Sequence, residues 1–153
     1  MEKNTAVESP FSKLIQVGVV VKDLDKAVER LSSLGIGPFT PTLLPPDAEQ
    51  WFRGKPVDAK VKISGARLGE IVLELIQPVG RESPHQEFLD SKGEGIQHIA
   101  FAVDDLDREV ARLAKQGVSV LFSANLRDVR VAYLDLGVGG LIIELIQSPR
   151  SLI

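Results

Sequence analysis

The sequence predicts an α+β fold made of two related β-α-β-β-β halves, because the chain repeats itself twice. Displaced by 82 positions, residues 16–35 fall on residues 98–117. Val21, Asp23, Leu24, Asp25, Val28, Arg30, Leu31 and Gly35 then match Val103, Asp105, Leu106, Asp107, Val110, Arg112, Leu113 and Gly117. A second displacement, of 70 positions, lays Leu73-Glu74-Leu75-Ile76-Gln77 over Ile143-Glu144-Leu145-Ile146-Gln147. The smaller displacement means that the second copy has a shorter middle. Two copies are too few for a solenoid, so one pseudo-symmetric domain over residues 1–153 is expected. Its parts are module one at about 11–79, a linker at 80–94 and module two at 95–149.

The elements follow in order. Residues 13–22 are apolar and rich in β-branched side chains, as a mostly buried strand requires. Asp23 or Asp25 is placed to cap the helix that follows, whose apolar positions Leu24, Ala27, Val28, Leu31 and Leu34 share one face. Gly35 ends that helix, as Gly117 ends its counterpart. A short strand near 39–43 comes next, then a loop from Pro45 to Pro56 rich in proline and polar residues. Strands near 58–65 and 69–77, joined by a turn around Gly65, complete the first half. In the linker, Ser83-Pro84 starts a short helix that ends by Gly93, with His85 expected as an exposed residue on it. The second half reads strand 96–103, helix 105–116, and strands near 118–123, 129–135 and 139–147.

Bulk properties limit what such a chain can be. A length of 153 residues, 44% hydrophobic and 25% charged, suits a folded domain with a sizeable core. The formal charge of −3 lacks the basic excess of a dedicated nucleic-acid or membrane-surface binder. No apolar run approaches the roughly 18 residues that a membrane span needs, and the polar stretch 1–9 does not read as a secretory signal. The absence of cysteine removes disulfides, thiolate metal sites and cysteine nucleophiles. A cytoplasmic enzyme or binding protein for a small molecule is expected, with neither nucleic acid nor membrane as partner.

Four polar residues interrupt the apolar strand faces. Alternation places Gln16 with Leu14, Gly18 and Val20, and His98 with Ile96, Ala100 and Ala102. Glu74 falls with Val72 and Ile76, and Glu144 with Ile142 and Ile146. An unpaired carboxylate buried in Leu-Ile-Ile-Glu-Leu-Ile costs several kcal/mol or takes up a proton. A lone strand His or Glu more often packs in a core or faces water, but these four form two repeat-related pairs. A shared cation resolves the problem: two carboxylates, an imidazole and an amide oxygen suit Zn²⁺, Ni²⁺, Co²⁺, Mn²⁺ or Mg²⁺.

Three stretches, VGVVVKDLDKAV, LELIQPVGRESPHQEFLDSKGEGIQHIAFAVDDLD and GGLIIELIQ, make the chain resemble the vicinal oxygen chelate superfamily. These are the glyoxalase, bleomycin-resistance and dioxygenase proteins, and the likeness is strongest to methylmalonyl-CoA epimerases. The resemblance implies a glyoxalase-like fold, with paired modules forming an open mixed β-barrel around one metal, often in a homodimer. Carried over position by position, it puts the family's metal ligands on Gln16, Glu74, His98 and Glu144. Epimerases usually have His at the first position; Gln with Glu, His and Glu is similar to the ligand set of some glyoxalase I enzymes. Extradiol dioxygenases, with two His and one Glu on iron, fit less well.

The chemistry that the resemblance implies is proton removal next to a carbonyl, with the metal holding the oxygen and stabilising the enolate. It makes the chain a divalent-metal-dependent isomerase, an epimerase of a methylmalonyl-CoA-like acyl-CoA thioester. The alternatives are a glyoxalase I-like lyase acting on a thiol adduct, and a non-catalytic protein of the same fold that binds a small molecule such as an antibiotic. An epimerase needs an acid/base group on each face of its planar intermediate. Glu144 is the candidate for one; Glu49 and Asp58 are candidates for the other, against the commoner role of solvated loop carboxylates. Epimerases tend to carry a His-Pro-Lys-like stretch before the last strand, where this chain has Leu134-Asp135-Leu136-Gly137. Arg53, Lys60, Lys62, Arg67, Arg127 and Arg130 are left as candidates for holding phosphate. Trp51-Phe52 reads as a substrate lid, a dimer contact or a piece of core.

Overall fold

The computed structural model describes residues 9–148. Most of the stretch read against a secretory signal, and residue 149 at the end of module two, lie outside the described residues.

The repeat becomes two matching sets of elements. Strand β1 (Leu14–Val20) leads into helix α1 (Leu24–Ser33), and strand β7 (Gly95–Ala102) leads into helix α3 (Leu106–Ala114). Asp23, not Asp25, caps α1 by accepting from the Lys26 amide, and Asp105 caps α3 by accepting from the Arg108 amide. Both helices pack an apolar face on the sheet. Val21, Leu24 and Leu75 form one cluster, and Leu106, Leu113, Leu134, Ile143 and Leu145 form the other. After each helix the chain reverses through a glycine with positive φ, Gly35 at 92° and Gly117 at 82°, a conformation that a side chain would strain.

Strands β2 (Phe39–Thr42), β3 (Glu49–Phe52), β4 (Lys55–Pro56), β5 (Val61–Leu68) and β6 (Ile71–Pro78) follow α1. Helix α2 (Pro84–Lys92) fills the linker, and β8 (Val120–Leu126), β9 (Val129–Asp135) and β10 (Ile142–Gln147) follow α3. The strands form one mixed sheet in the order β2-β5-β6-β1-β7-β10-β9-β8-β3-β4. It curls into an open half-barrel with three helices, the glyoxalase-like α+β architecture. The first strand of each half pairs in parallel with the last, β1 with β6 and β7 with β10, and the halves meet where β1 and β7 run antiparallel.

Two expectations need correction. The stretch 45–56 is not simply a loop, since β3 and β4 form a hairpin and β3 pairs with β8 of the other half. Gly65 is not the turn between β5 and β6; it lies inside β5 opposite Glu74, and the chain turns at 69–70. In both cases a ladder formed far along the chain satisfies backbone groups that the local residues left open. Among the described residues, no helix is long and apolar enough to cross a membrane.

Candidate functional site

The ladders carry the four interrupting residues to the centre of the sheet. Gly18 on β1 stands between Glu74 on β6 and His98 on β7. One step along, Gln16 is opposite Ala100, and Ala100 is opposite Glu144 on β10. Gly18 is essential to this arrangement, because a Cβ there would overlap the His98 ring itself. The imidazole lies across bare backbone and is fully buried.

Strand β7 also carries an irregularity. Gly18 pairs with His98 and Val19 with Ile96, so Gln97 is an extra residue, a β-bulge that re-aims its neighbours. The simple alternation that grouped Ile96 with His98 therefore fails: Ile96 is 63% exposed, whereas Gln97 and His98 are both buried. Gln97 binds the Pro84 carbonyl of α2 through Nε2 (3.1 Å) and offers Oε1 to His98 Nδ1 (3.1 Å). An acceptor on Nδ1 directs Nε2 toward the carboxylates, the usual way a ligating histidine is oriented. The sequence reading overlooked both Gly18 and Gln97, although a polar residue beside His98 in an apolar strand was a visible signal.

The quartet is mutually bonded. Gln16 Nε2 donates to Glu74 Oε2 (2.9 Å), and His98 Nε2 lies 3.4 Å from Gln16 Oε1 and 3.9 Å from Glu74 Oε1. Glu144 Oε2 is 3.0 Å from the same nitrogen, a close charge contact, yet no well-directed hydrogen bond reaches that buried oxygen. Among the described residues, no three His, Asp or Glu side chains stand as a ready-made metal cage; here the donors hold one another. Burial, reinforced by the charge of Glu144, pushes the Glu74 carboxyl up to about 7. Burial opposes a charged His98, but Glu144 and then Glu74 outweigh it and hold the imidazole above its ordinary value.

Gln16 and Glu74 line two hollows, and Glu144 lines the first of them. One, of about 280 Å³, is walled by apolar side chains such as Leu44, Val61, Ile63, Phe122 and Val131, and reaches Glu74 and Glu144. The other, of about 890 Å³, shares Gln16, Glu74 and Thr42 with it and runs out past Lys13 and Arg67. His85 lines the first hollow and is buried, not exposed as expected, because α2 turns it under the β8–β9 ladder onto Tyr133 and Phe122. Burial, then the charge of His98, pushes it down to about 3. Phe52 is core, packed in a cluster with Phe122 and Tyr133, while Trp51 remains partly exposed.

Other sequence candidates do not gather here. Glu49 is exposed on β3, and Asp58 pairs with Lys60 and Arg81 at the surface. Arg53, Arg127 and Arg130 are engaged by Glu87, Asp47 and Asp107. Arg67 lines the larger hollow, and Lys62 is exposed on β5.

Comparisons with known proteins agree on the architecture. A sequence model of the Glyoxalase/Bleomycin resistance protein/Dioxygenase superfamily matches residues 15–133. Methylmalonyl-CoA epimerase from Mycobacterium tuberculosis is similar over 97% of this chain and 96% of that one, at 26% identity and a TM-score of 0.71. The hypothetical protein BH1468 from Bacillus halodurans C-125 is 25% identical over 90% of this chain and 95% of its own, with a TM-score of 0.69. A Streptomyces coelicolor methylmalonyl-CoA epimerase in complex with 2-nitronate-propionyl-CoA shares the fold at 24% identity, covering 89% of this chain and 96% of that one, with a TM-score of 0.69. The uncharacterized protein YqjC of Bacillus subtilis (strain 168) is 36% identical over 64 residues, 42% of this chain and 46% of that protein. The match thus spans about half the length of that curated relative.

Proposed function

We propose, because this chain belongs to the Glyoxalase/Bleomycin resistance protein/Dioxygenase superfamily, that it removes a proton next to a carbonyl as a divalent-metal-dependent epimerase of a methylmalonyl-CoA-like thioester. One observation carries the reading. Two carboxylates and a carboxamide, with a buried imidazole against them, line an apolar hollow where a substrate carbon can be held out of water.

Gln16, Glu74, His98 and Glu144 would hold the ion, and their donor set fits Co²⁺, Zn²⁺, Ni²⁺, Mn²⁺ or Mg²⁺. The fit is supported by Glu144 Oε2, a buried carboxylate oxygen that accepts no well-directed hydrogen bond although His98 Nε2 lies 3.0 Å away. When bound, a divalent ion supplies Lewis-acid polarisation of the carbonyl oxygen. The chain's own residues supply the rest. Glu144 lines the hollow and is the group that takes the proton. Gln97 keeps Nε2 of His98 turned to the site, and the apolar walls exclude water, which strengthens every charge interaction inside. Glu49 and Asp58 do not line the hollow, so the second proton-transfer group of an epimerisation has to come from the residues that do.

Similarity to the Mycobacterium tuberculosis epimerase supports the substrate class. The test is deuterium exchange at the 2-position of methylmalonyl-CoA. The expected result is exchange that depends on added Co²⁺ and is lost, together with Co²⁺ binding, in Glu144→Ala. Full activity of that variant contradicts the mechanism. Turnover of methylglyoxal plus a thiol without exchange replaces the epimerase by the glyoxalase I-like lyase that Gln16 suggests. The homodimer belongs to the same proposal and is checked by sedimentation equilibrium.

A further inference from the structure

Beyond the quartet, the wall of the smaller hollow carries a second polar pair, His85 and Tyr133. Tyr133 is opposite Glu144 in the β9–β10 ladder. Its ring is held among three others, with centroids 4.9 Å from His98, 5.3 Å from Phe122 and 5.6 Å from His85. The hydroxyl has little freedom and lies 2.9 Å from His85 Nε2.

His85 is buried and neutral, so it has a single N–H to place. Its Nδ1 is also buried and has no hydrogen-bond partner. A proton on Nδ1 would leave a buried donor unpaired. A proton on Nε2 is donated to the Tyr133 oxygen instead, and the open donor becomes the Tyr133 O–H on the wall of the hollow, where a ligand oxygen can accept it. Tyr133 then accepts from His85, and its own O–H has no other hydrogen bond among the described residues.

We propose that Tyr133 donates a hydrogen bond to a substrate oxygen in this hollow, the carbonyl or carboxylate oxygen of an acyl group, and that His85 is the positioning residue that turns the hydroxyl there. The inference rests on the reading of the quartet as a site for proton removal beside a carbonyl. It adds a recognition element, since favoured ligands present an oxygen near the reacting carbon. A phenol is protonated and a donor at neutral pH, and a neutral donor does not repel an anionic ligand.

The chain has one tyrosine and two histidines, which makes both groups individually observable. In a ¹H–¹⁵N correlation spectrum of the full chain, with His85 assigned by its loss in His85→Gln, a neutral ring protonated on Nε2 is expected. A ring protonated on Nδ1 overturns the proposal. In the Co²⁺-loaded enzyme, Tyr133→Phe is expected to lower kcat for methylmalonyl-CoA exchange by roughly a hundred-fold with Co²⁺ affinity unchanged. His85→Leu is expected to fall in parallel, and His85→Gln, which keeps an N–H, to recover most of the loss. An unchanged kcat in Tyr133→Phe overturns the proposal while leaving the parent reading intact. No exchange by the wild type overturns the parent reading, and this assignment with it.

Discussion

Gly18 has no side chain, and the His98 ring occupies the space that one would fill. Gly18→Ala is expected to cost roughly 1–3 kcal/mol by overpacking and to weaken Co²⁺ binding about 10- to 100-fold by displacing a ligand; wild-type melting and binding in that variant would refute the role. Glu74 gives the site its pH dependence. Its folded-state value of about 7 lies above the ordinary 4.5, so the ion-free folded chain holds a proton that the unfolded chain has released. The stability this contributes is complete below 4.5 and is lost as pH rises through about 7. His98, also raised, acts in the same sense from its ordinary 6.5 upward. His85 acts oppositely: pushed down to about 3, it contributes stability that is complete above 6.5 and is lost as pH falls. The Glu74 contribution is therefore read in denaturant melts of wild type and Glu74→Gln, with the wild type losing stability relative to the variant as pH rises through about 7. Because a divalent ion must displace these protons, Co²⁺ affinity is expected to rise over the same window. Affinity independent of pH would show that the ligands are already deprotonated.

At the scale of elements, the repeated Gln at the end of each Leu-Ile-Gln has a clear purpose. Gln77 Oε1 accepts from the Leu24 amide, and Gln147 Oε1 from the Leu106 amide, each at 2.8 Å. The closing strand of each half thus satisfies the first amide of that half's helix, beside the aspartate cap. Gln77→Ala and Gln147→Ala are expected to cost about 1 kcal/mol each, by similar amounts because the two geometries match. Urea denaturation showing one loss and no other would mean that the pseudo-symmetry is not energetic. These elements were legible because caps, strand runs and terminal glycines are written within a few residues of where they act. The bulge at Gln97 was not, since it exists only in relation to Gly18 and Val19 on another strand.

For the whole molecule, the departure from symmetry is the β3–β4 hairpin. It leaves the first half and extends the sheet of the second, placing Phe52 against Phe122 and Tyr133 behind the smaller hollow. The Arg53 amide reaches the Leu121 carbonyl at 2.8 Å, and its guanidinium pairs twice with Glu87 on α2. Phe52→Ala is expected to cost roughly 3–5 kcal/mol, as for a buried core aromatic. The native chain should also resist trypsin after Arg53, whereas the variant is cut there. Rapid cleavage of the wild type at that bond would mean that the segment is the free loop its proline content suggests.

By itself the sequence determined the two halves, their helices and caps, and the four polar residues in apolar strands, because each is encoded by local periodicity or by comparing the chain with itself. Only the tertiary structure decided that Gly65 lies within a strand, that the long loop adds an edge to the opposite half, and that His85 turns inward onto Tyr133. It also decided that Gly18 leaves room for His98. The reason is that such features depend on what a distant segment brings: a ladder partner for an open backbone group, or a ring for an empty space. No local pattern carries that information before the sheet closes.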